Sequence, residues 1–532
     1  MQITSKDLLA LGFKTGKQFG QTLARVKQLE AEGTSREAIL ELLAQEVEVA
    51  VKEASKPKLR MKEEMTVLRE AITAVTPDEL DNITKVKKDM VRLGQSPVVE
   101  AVAVMPDACP AGSEEAGISV GGAIAVKNAI VPYSTSADLC CSMYATFFES
   151  DRPVAELMDD LQESTRFGAG GRNPHEIVKH EVTDEEVWKN PFLDGLKSYA
   201  VKHMADQGDG NHFAYIGEVV NCEKLANHLE TAGYAELSKE FRKHETLKVL
   251  VTHHGSRGLG AQVYKRGLDA AVKQTNEIAE GIPKAAAWID YNTKQGEDYW
   301  DALQYVSRWT EANHQAIHHI FLTKSGAKKA TAFGNQHNFC WVKPTKENNG
   351  EPIKGKENIF LHGKGATPAW TDAHGRPLLG LIPLNMAANI MIVLGSDNEK
   401  YLSFAPHGAG RNFSRSTLTK QFKDDRGNLQ ETMVKKRLAE LTKGLDIRWF
   451  SGRPDISESP LGYKDAESIK REIKKFGLAK VIAEIKPLGC IMAGDQPKFW
   501  ELARQTKKQK RQLQHRSERR KIHADLKNLD IE

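Results

Sequence analysis

The feature that most limits the fold is a series of short apolar runs: VVEAVAVM (98–105), AIAVKNAIVPY (123–133), KVLVTHH (248–254) and NIMIVLG (389–395). Each is of strand length, and each is set off by glycine-rich loops or by stretches with helical spacing. Such runs, alternating with helices, predict a mixed α/β domain. The pattern extends from about residue 80 to 495.

At 532 residues the chain is longer than one simple core requires, so smaller pieces are expected around that domain. Residues 1–79 read as a helical region. There Thr34-Ser35-Arg36-Glu37 has the form of a capping box, with Ile39, Leu42, Leu43 and Val47 following at helical spacing. Residues 496–532 read as a basic tail. Positions 498–521 carry ten Lys or Arg against two Glu, in a chain whose net charge is only +4. Attraction to nucleic acid outside the active site is therefore expected to concentrate at this end.

Hydrophobic residues at 40% and charged residues at 27% match ordinary globular usage and argue against disorder or a disulfide scaffold. The first twenty residues carry charges where a signal peptide needs an apolar stretch. No run approaches the roughly 18 apolar residues of a membrane span, so a cytoplasmic protein without membrane association is expected. The six cysteines lack framework spacing and read as thiols or metal ligands.

The candidate ligands are Asp138 and Cys141 in SADLCCSM, His212 in GDGNHF, His253 in VTHHGSRGLG and His337 in NQHNFCW. Carboxylate, imidazole and thiolate together suit a divalent transition ion, manganese or zinc. Five donors exceed the needs of one tetrahedral centre and fit a two-metal site with a shared ligand. Taken singly, each is equally consistent with a core histidine or a small buried thiol.

The loops GSRGLG (255–260), HGKGATPA (362–369) and HGAGRNFSR (407–415) join glycines to Arg257, Lys364, Arg411 and Arg415, a combination suited to phosphate. None matches a P-loop or a dinucleotide fingerprint. His314 and His318 have the spacing of a zinc protease, but Gln315 replaces the general base, which leaves a packed pair of helix histidines. In HGAGR, small residues let a phosphate approach His407, so His407 is either a nucleophile or the cap of a glycine turn.

These motifs, in this order, resemble the RtcB-type RNA-splicing ligases from about residue 80 to 495. MPDACPAG, VPYSTSADLCCSM, GDGNHF, HHGSRGLG, HNF, GKGAT, HGAGRNFSR, SPLGYKD and IKPLG carry the resemblance. It implies that Asp138, Cys141, His212, His253 and His337 bind two Mn2+ ions, with Cys141 bridging. It implies also that His407 receives GMP from GTP, with Asn211, Phe213, Asn338, Ser396, Gly408, Ala409, Gly410 and Tyr463 in or near the nucleotide site. The implied reaction joins RNA 2′,3′-cyclic phosphate or 3′-phosphate ends to 5′-hydroxyl ends, in RNA repair or tRNA splicing.

Several positions depart from the family pattern. Tyr215 stands in place of a Glu, Met492 of a Lys, Gly363 of an Arg and Cys109 of a His, and the segment between Ser396 and HGAGR is short. These departures bear on guanine recognition and RNA-end positioning more than on metal chemistry. They leave open a second reading, a metal-binding protein that senses RNA ends without sealing them.

Overall fold

A computed structural model of the chain describes residues 2–495 apart from 14–15, 55–56, 65, 75, 113 and 169. The basic tail from 496 lies outside the described residues. The chain divides into two units, one formed by residues up to Arg60 with Ile278–Glu280, the other by the remainder.

The smaller unit holds the helices Ser5–Ala10, Lys17–Ala31 and Arg36–Ala54. Ile3, Leu8, Val26, Ile39 and Leu43 form its core. Ile39 and Leu43 are buried as their spacing predicts, whereas Leu42 is exposed. The cap lies one residue later than the sequence pattern suggests, since the Ser35 hydroxyl accepts from the Ala38 amide. Glu37 thereby falls in the first turn, where a carboxylate meets the positive end of the helix.

The larger unit is the expected mixed α/β domain, and residues 61–79 belong to it. One sheet has the strand order Leu68–Glu70, Val99–Cys109, Val120–Lys127, Ile359–Lys364, Asn338–Val342. A second runs Lys328–Gln336, Ser142–Glu149, Thr246–His254, Phe213–Val220, Ala479–Met492, Ile390–Gly395, Leu379–Ile382, with Asp446–Trp449 alongside Ala479–Met492. Each of the four apolar runs contributes a strand to these sheets, although the run 123–133 leaves the first sheet after Lys127 and pairs Ala129–Ile130 with Ile289–Asp290 in a separate two-stranded sheet. Val99–Cys109 is buried at every position but Glu100, so it reads as a continuous apolar run without alternation.

Pro106 interrupts that strand where its register with Val120–Lys127 shifts. A proline cannot donate to the ladder, so a bulge is where a buried strand tolerates one. The shift turns Asp107 toward the glycine loop at 407–410.

Helix Lys294–Ser325 starts at Thr293, whose side chain accepts from the Gly296 amide, and stops at Gly326 with φ +67. Its His314 and His318 are buried. Thr252 Oγ1 lies 2.6 Å from His314 Nδ1 and 2.8 Å from His318 Nε2, and Ser142 and Thr146 take the other ring nitrogens. This pair is spent on holding the helix to the sheet. Among the described residues no helix is long and apolar enough to cross a membrane.

Candidate active site

Strand pairing assembles the five candidate ligands. His253 lies opposite both Met143 and Phe213 in the second sheet, and Gln336 lies opposite Ser142. Cys141, His212 and His337 each stand one residue beyond those partners, so three strand ends and one strand-to-strand turn converge. The His337 amide donates to the Cys141 carbonyl at 3.0 Å. Cys140, at φ +60, turns the Asp138–Cys141 loop back on itself. Asn338 braces that loop, its amide donating to the Asp138 carbonyl while its Oδ1 accepts from the Gly365 amide.

The donor atoms form two triads, Asp138–Cys141–His212 and Cys141–His253–His337, each with its atoms within 4.8 Å of one another. They share the Cys141 thiol. Its Sγ is 3.2 Å from His253 Nε2 and 3.6 Å from His212 Nε2, and His253 Nε2 is 3.2 Å from His337 Nε2. The Asn211 carbonyl, which can only accept, fixes the proton on His253 Nδ1 and leaves the Nε2 lone pair facing the cluster.

Charge state agrees with ligation. Burial, with His212 and His407 nearby, pushes His253 down to about 3 and holds His337 well below the usual histidine range. Both therefore stay neutral, the form that binds metals. Burial pushes the Cys141 thiol well up, and the Asp138 carboxylate adds to the shift. Burial opposes ionisation of Asp138 too, but the His212 charge and hydrogen bond hold it below the usual carboxylate range. A buried thiol beside a carboxylate ionises only against a cation, and so many converging donors fit one.

His407 adjoins this cluster, its ring centroid 4.9 Å from that of His337. The fully buried Asp107 carboxylate lies 2.6 Å from His407 Nδ1 and accepts from the His407 amide at 3.1 Å. Lys464 underlies it, donating to the carbonyls of Pro106 and Ala108. An aspartate on Nδ1 sets the tautomer and leaves Nε2 with its lone pair, as a nucleophilic imidazole requires.

His407 opens on a cavity of about 180 Å³, also lined by Asn211, Phe213, Gly408, Ala409, Gly410 and Tyr463. Arg411 and Arg415 stand at its edge. Both are paired with the buried Glu458, which also accepts from the Tyr463 hydroxyl. Ser396 and Asn338 do not line the cavity. The Ser396 amide bonds the Leu478 carbonyl at the end of Ile390–Gly395, and Asn338 is the brace described above. Of the phosphate-loop cations, Arg257 faces buried Asp206 and Lys364 donates to the Ile118 carbonyl; burial lowers Lys364 to about 8.

A family model described as tRNA-splicing ligase RtcB matches residues 89–493. The chain belongs to the RtcB family. It is 25% identical over 447 residues to the tRNA-splicing ligase RtcB of Thermococcus kodakarensis, covering 73% of this chain and 86% of that one. It is 24% identical over 420 residues to the RNA-splicing ligase RtcB of Escherichia coli, with 76% and 93% covered. A Pyrococcus furiosus tRNA-splicing ligase RtcB is 26% identical over 361 residues, where the match takes in 63% of this chain and only 34% of the longer relative.

In this RtcB-family chain the sequence assigns no role to Asp107, although MPDACPAG contains it, none to Glu458, and no cavity wall to Asn385, Met386 or Ile390. Asp107 did leave a signal, since a lone carboxylate within an apolar strand needs a partner. Glu458 left none.

The second glycine of HGAGR has a separate task. Gly410 has φ +69, and a β-carbon there would collide with the Asp107 backbone. Gly408 has ordinary φ, and a β-carbon there would meet only the Pro383 carbonyl at 3.0 Å. Gly410→Ala is expected to cost at least about 2 kcal/mol and to pull Asp107 from His407, whereas Gly408→Ala costs less. Denaturant unfolding of the two variants side by side checks this order.

Proposed function

We propose that the chain is an RNA ligase that joins 2′,3′-cyclic phosphate or 3′-phosphate RNA ends to 5′-hydroxyl ends through a nucleotide carried on His407, in RNA repair or tRNA splicing. GTP is a nucleotide donor and manganese the metal in this reading. The observation that carries it is the placement of an aspartate-oriented imidazole against two ligand triads that share one thiol.

Asp138, Cys141, His212, His253 and His337 would hold the two ions. When bound, these polarise phosphoryl oxygens and offset the charge that develops on them. The chain's own groups account for the rest. His407 Nε2 forms an N–P bond to the α-phosphorus as the bond from that phosphorus to the departing pyrophosphate breaks. Asp107 keeps the Nδ1 proton and stabilises the charge that the ring acquires. The backbone of Gly408–Gly410 leaves room for the phosphate, and Arg411 and Arg415 lie within the same cavity to balance its charge.

A cyclic end is first opened by water to a 3′-phosphate. That phosphate takes the nucleotide from His407, breaking the N–P bond and forming a phosphoanhydride. The 5′-hydroxyl then attacks the RNA phosphorus, the nucleoside monophosphate leaves, and a phosphodiester remains.

Purified protein with Mn2+, nucleoside triphosphate and RNA bearing a 2′,3′-cyclic phosphate and a 5′-hydroxyl is expected to yield a sealed strand resistant to phosphatase. Binding of that RNA without sealing would favour the end-sensing reading, to which the apolar Tyr215 and Met492 walls lend support.

A further inference from the structure

Among the described residues, a nucleotide bonded through its α-phosphorus to His407 has the cavity of about 180 Å³ beside it, and the chemistry of that wall determines which base it takes. The wall is built from Phe213, Tyr215, Met386, Ile390, Cys490 and Met492. Guanine presents two donors there, N1–H and the N2 amino group, beside the O6 acceptor. Adenine presents one amino donor and the N1 acceptor. Choosing guanine therefore takes an acceptor aimed at two adjacent donors, a task for which a carboxylate is suited.

Among the described lining residues no carboxylate is free for it. Glu458 is the one acidic residue among the described lining residues, and it is 1% exposed. Its Oε1 accepts from Arg415 Nε at 2.6 Å, and its Oε2 from Tyr463 Oη at 2.6 Å and Arg411 Nη1 at 3.4 Å. The Tyr215 hydroxyl, kept protonated by burial, donates away from the cavity to the Ile485 carbonyl at 3.4 Å. Burial pushes the Cys490 thiol up to about 12, so it stays neutral. Asn385 Oδ1 already accepts from the Ala387 amide. Asn211 offers a neutral amide that donates and accepts at once and, by flipping, meets the exchanged edges of either base, so it does not choose between them.

We propose that this base subsite holds a purine by shape and apolar contact without selecting guanine over adenine, so that ATP and GTP both load His407. The inference rests on the reading of His407 as a nucleotide carrier. Phe213 and Ile390 bury either ring, and the apolar wall treats the two exchanged Watson–Crick edges nearly alike. Apolar pockets separate related ligands by about 10- to 200-fold, whereas a site built to hydrogen-bond one of them separates by about 10⁴–10⁵.

The test uses the full chain with Mn2+ and, separately, α-phosphate-labelled GTP and ATP at equal concentration below saturation, reading the initial rate of acid-labile label on protein. Rates within about a hundredfold of each other are expected. A larger GTP preference overturns the inference and leaves the nucleotide-carrier reading standing. Label from none of GTP, ATP, CTP and UTP overturns both. Tyr215→Glu, which puts a carboxylate on the wall, is expected to raise the GTP-to-ATP ratio at least tenfold. A folded variant with an unchanged ratio shows that the base lies elsewhere and overturns the proposal, and if the variant does not fold the wild-type comparison still decides.

Discussion

His407→Ala is expected to abolish the covalent protein–nucleotide adduct while bound metal stays near the wild-type level. The two functions sit on different groups: the imidazole that would attack is hydrogen-bonded to Asp107, and the five candidate metal donors form their own triads. Loss of the nucleophile should lower adduct formation by roughly 10⁴-fold or more. Asp107→Asn should lower it by about 10³–10⁴-fold, because an amide no longer fixes the proton on Nδ1. Acid-labile label and elemental analysis on the same samples check both variants. Label on the alanine variant would remove His407 from its proposed role.

The second large effect concerns Cys141. Because both triads include its thiol, Cys141→Ala should reduce metal content toward zero, whereas Asp138→Ala removes a donor from one triad alone and should leave about one ion per chain. Metal that binds only the folded state also raises the melting temperature, so chelation should destabilise the wild type and have little effect on Cys141→Ala. Equal metal loss in the two variants would argue against a bridging thiol.

The residue types and their order were enough to read a mixed α/β domain, and the resemblance of the motifs singled out five candidate donors. Taken singly, each thiol, imidazole or carboxylate reads equally well as packing, and only their shared setting beside glycine and asparagine, with the order of the motifs, pointed to a common site. The HGAGR loop was legible for a similar reason, since its glycines have no use unless a backbone or a phosphate comes close. What spacing could not show was proximity. Asp138 and His337 are separated by almost two hundred residues, and only the pairing of Ser142–Glu149 with Thr246–His254 and Lys328–Gln336 brings them together.

Ser396 and Asn338 illustrate the limit from the other side. The resemblance places both in or near the nucleotide site, yet Ser396 follows a strand away from the cavity and Asn338 braces a loop. A motif reports that a stretch is used, while the direction of each side chain depends on strand register and local twist. Asp107 is the converse case: its place in the chain says only that a carboxylate is buried, and the bulge at Pro106 decides that it meets His407.

The sequence by itself determined the chemistry available to this protein: soft ligands, a histidine in a glycine loop, and enough buried strands to hold them rigidly. Tertiary structure alone decided how the other four donors divide around the Cys141 thiol, which nitrogen of His407 is left open, and that Glu458 is paired with two arginines and a tyrosine. Side-chain identity is local to the chain, whereas distance, protonation and the pairing of buried charges depend on neighbours that only folding supplies.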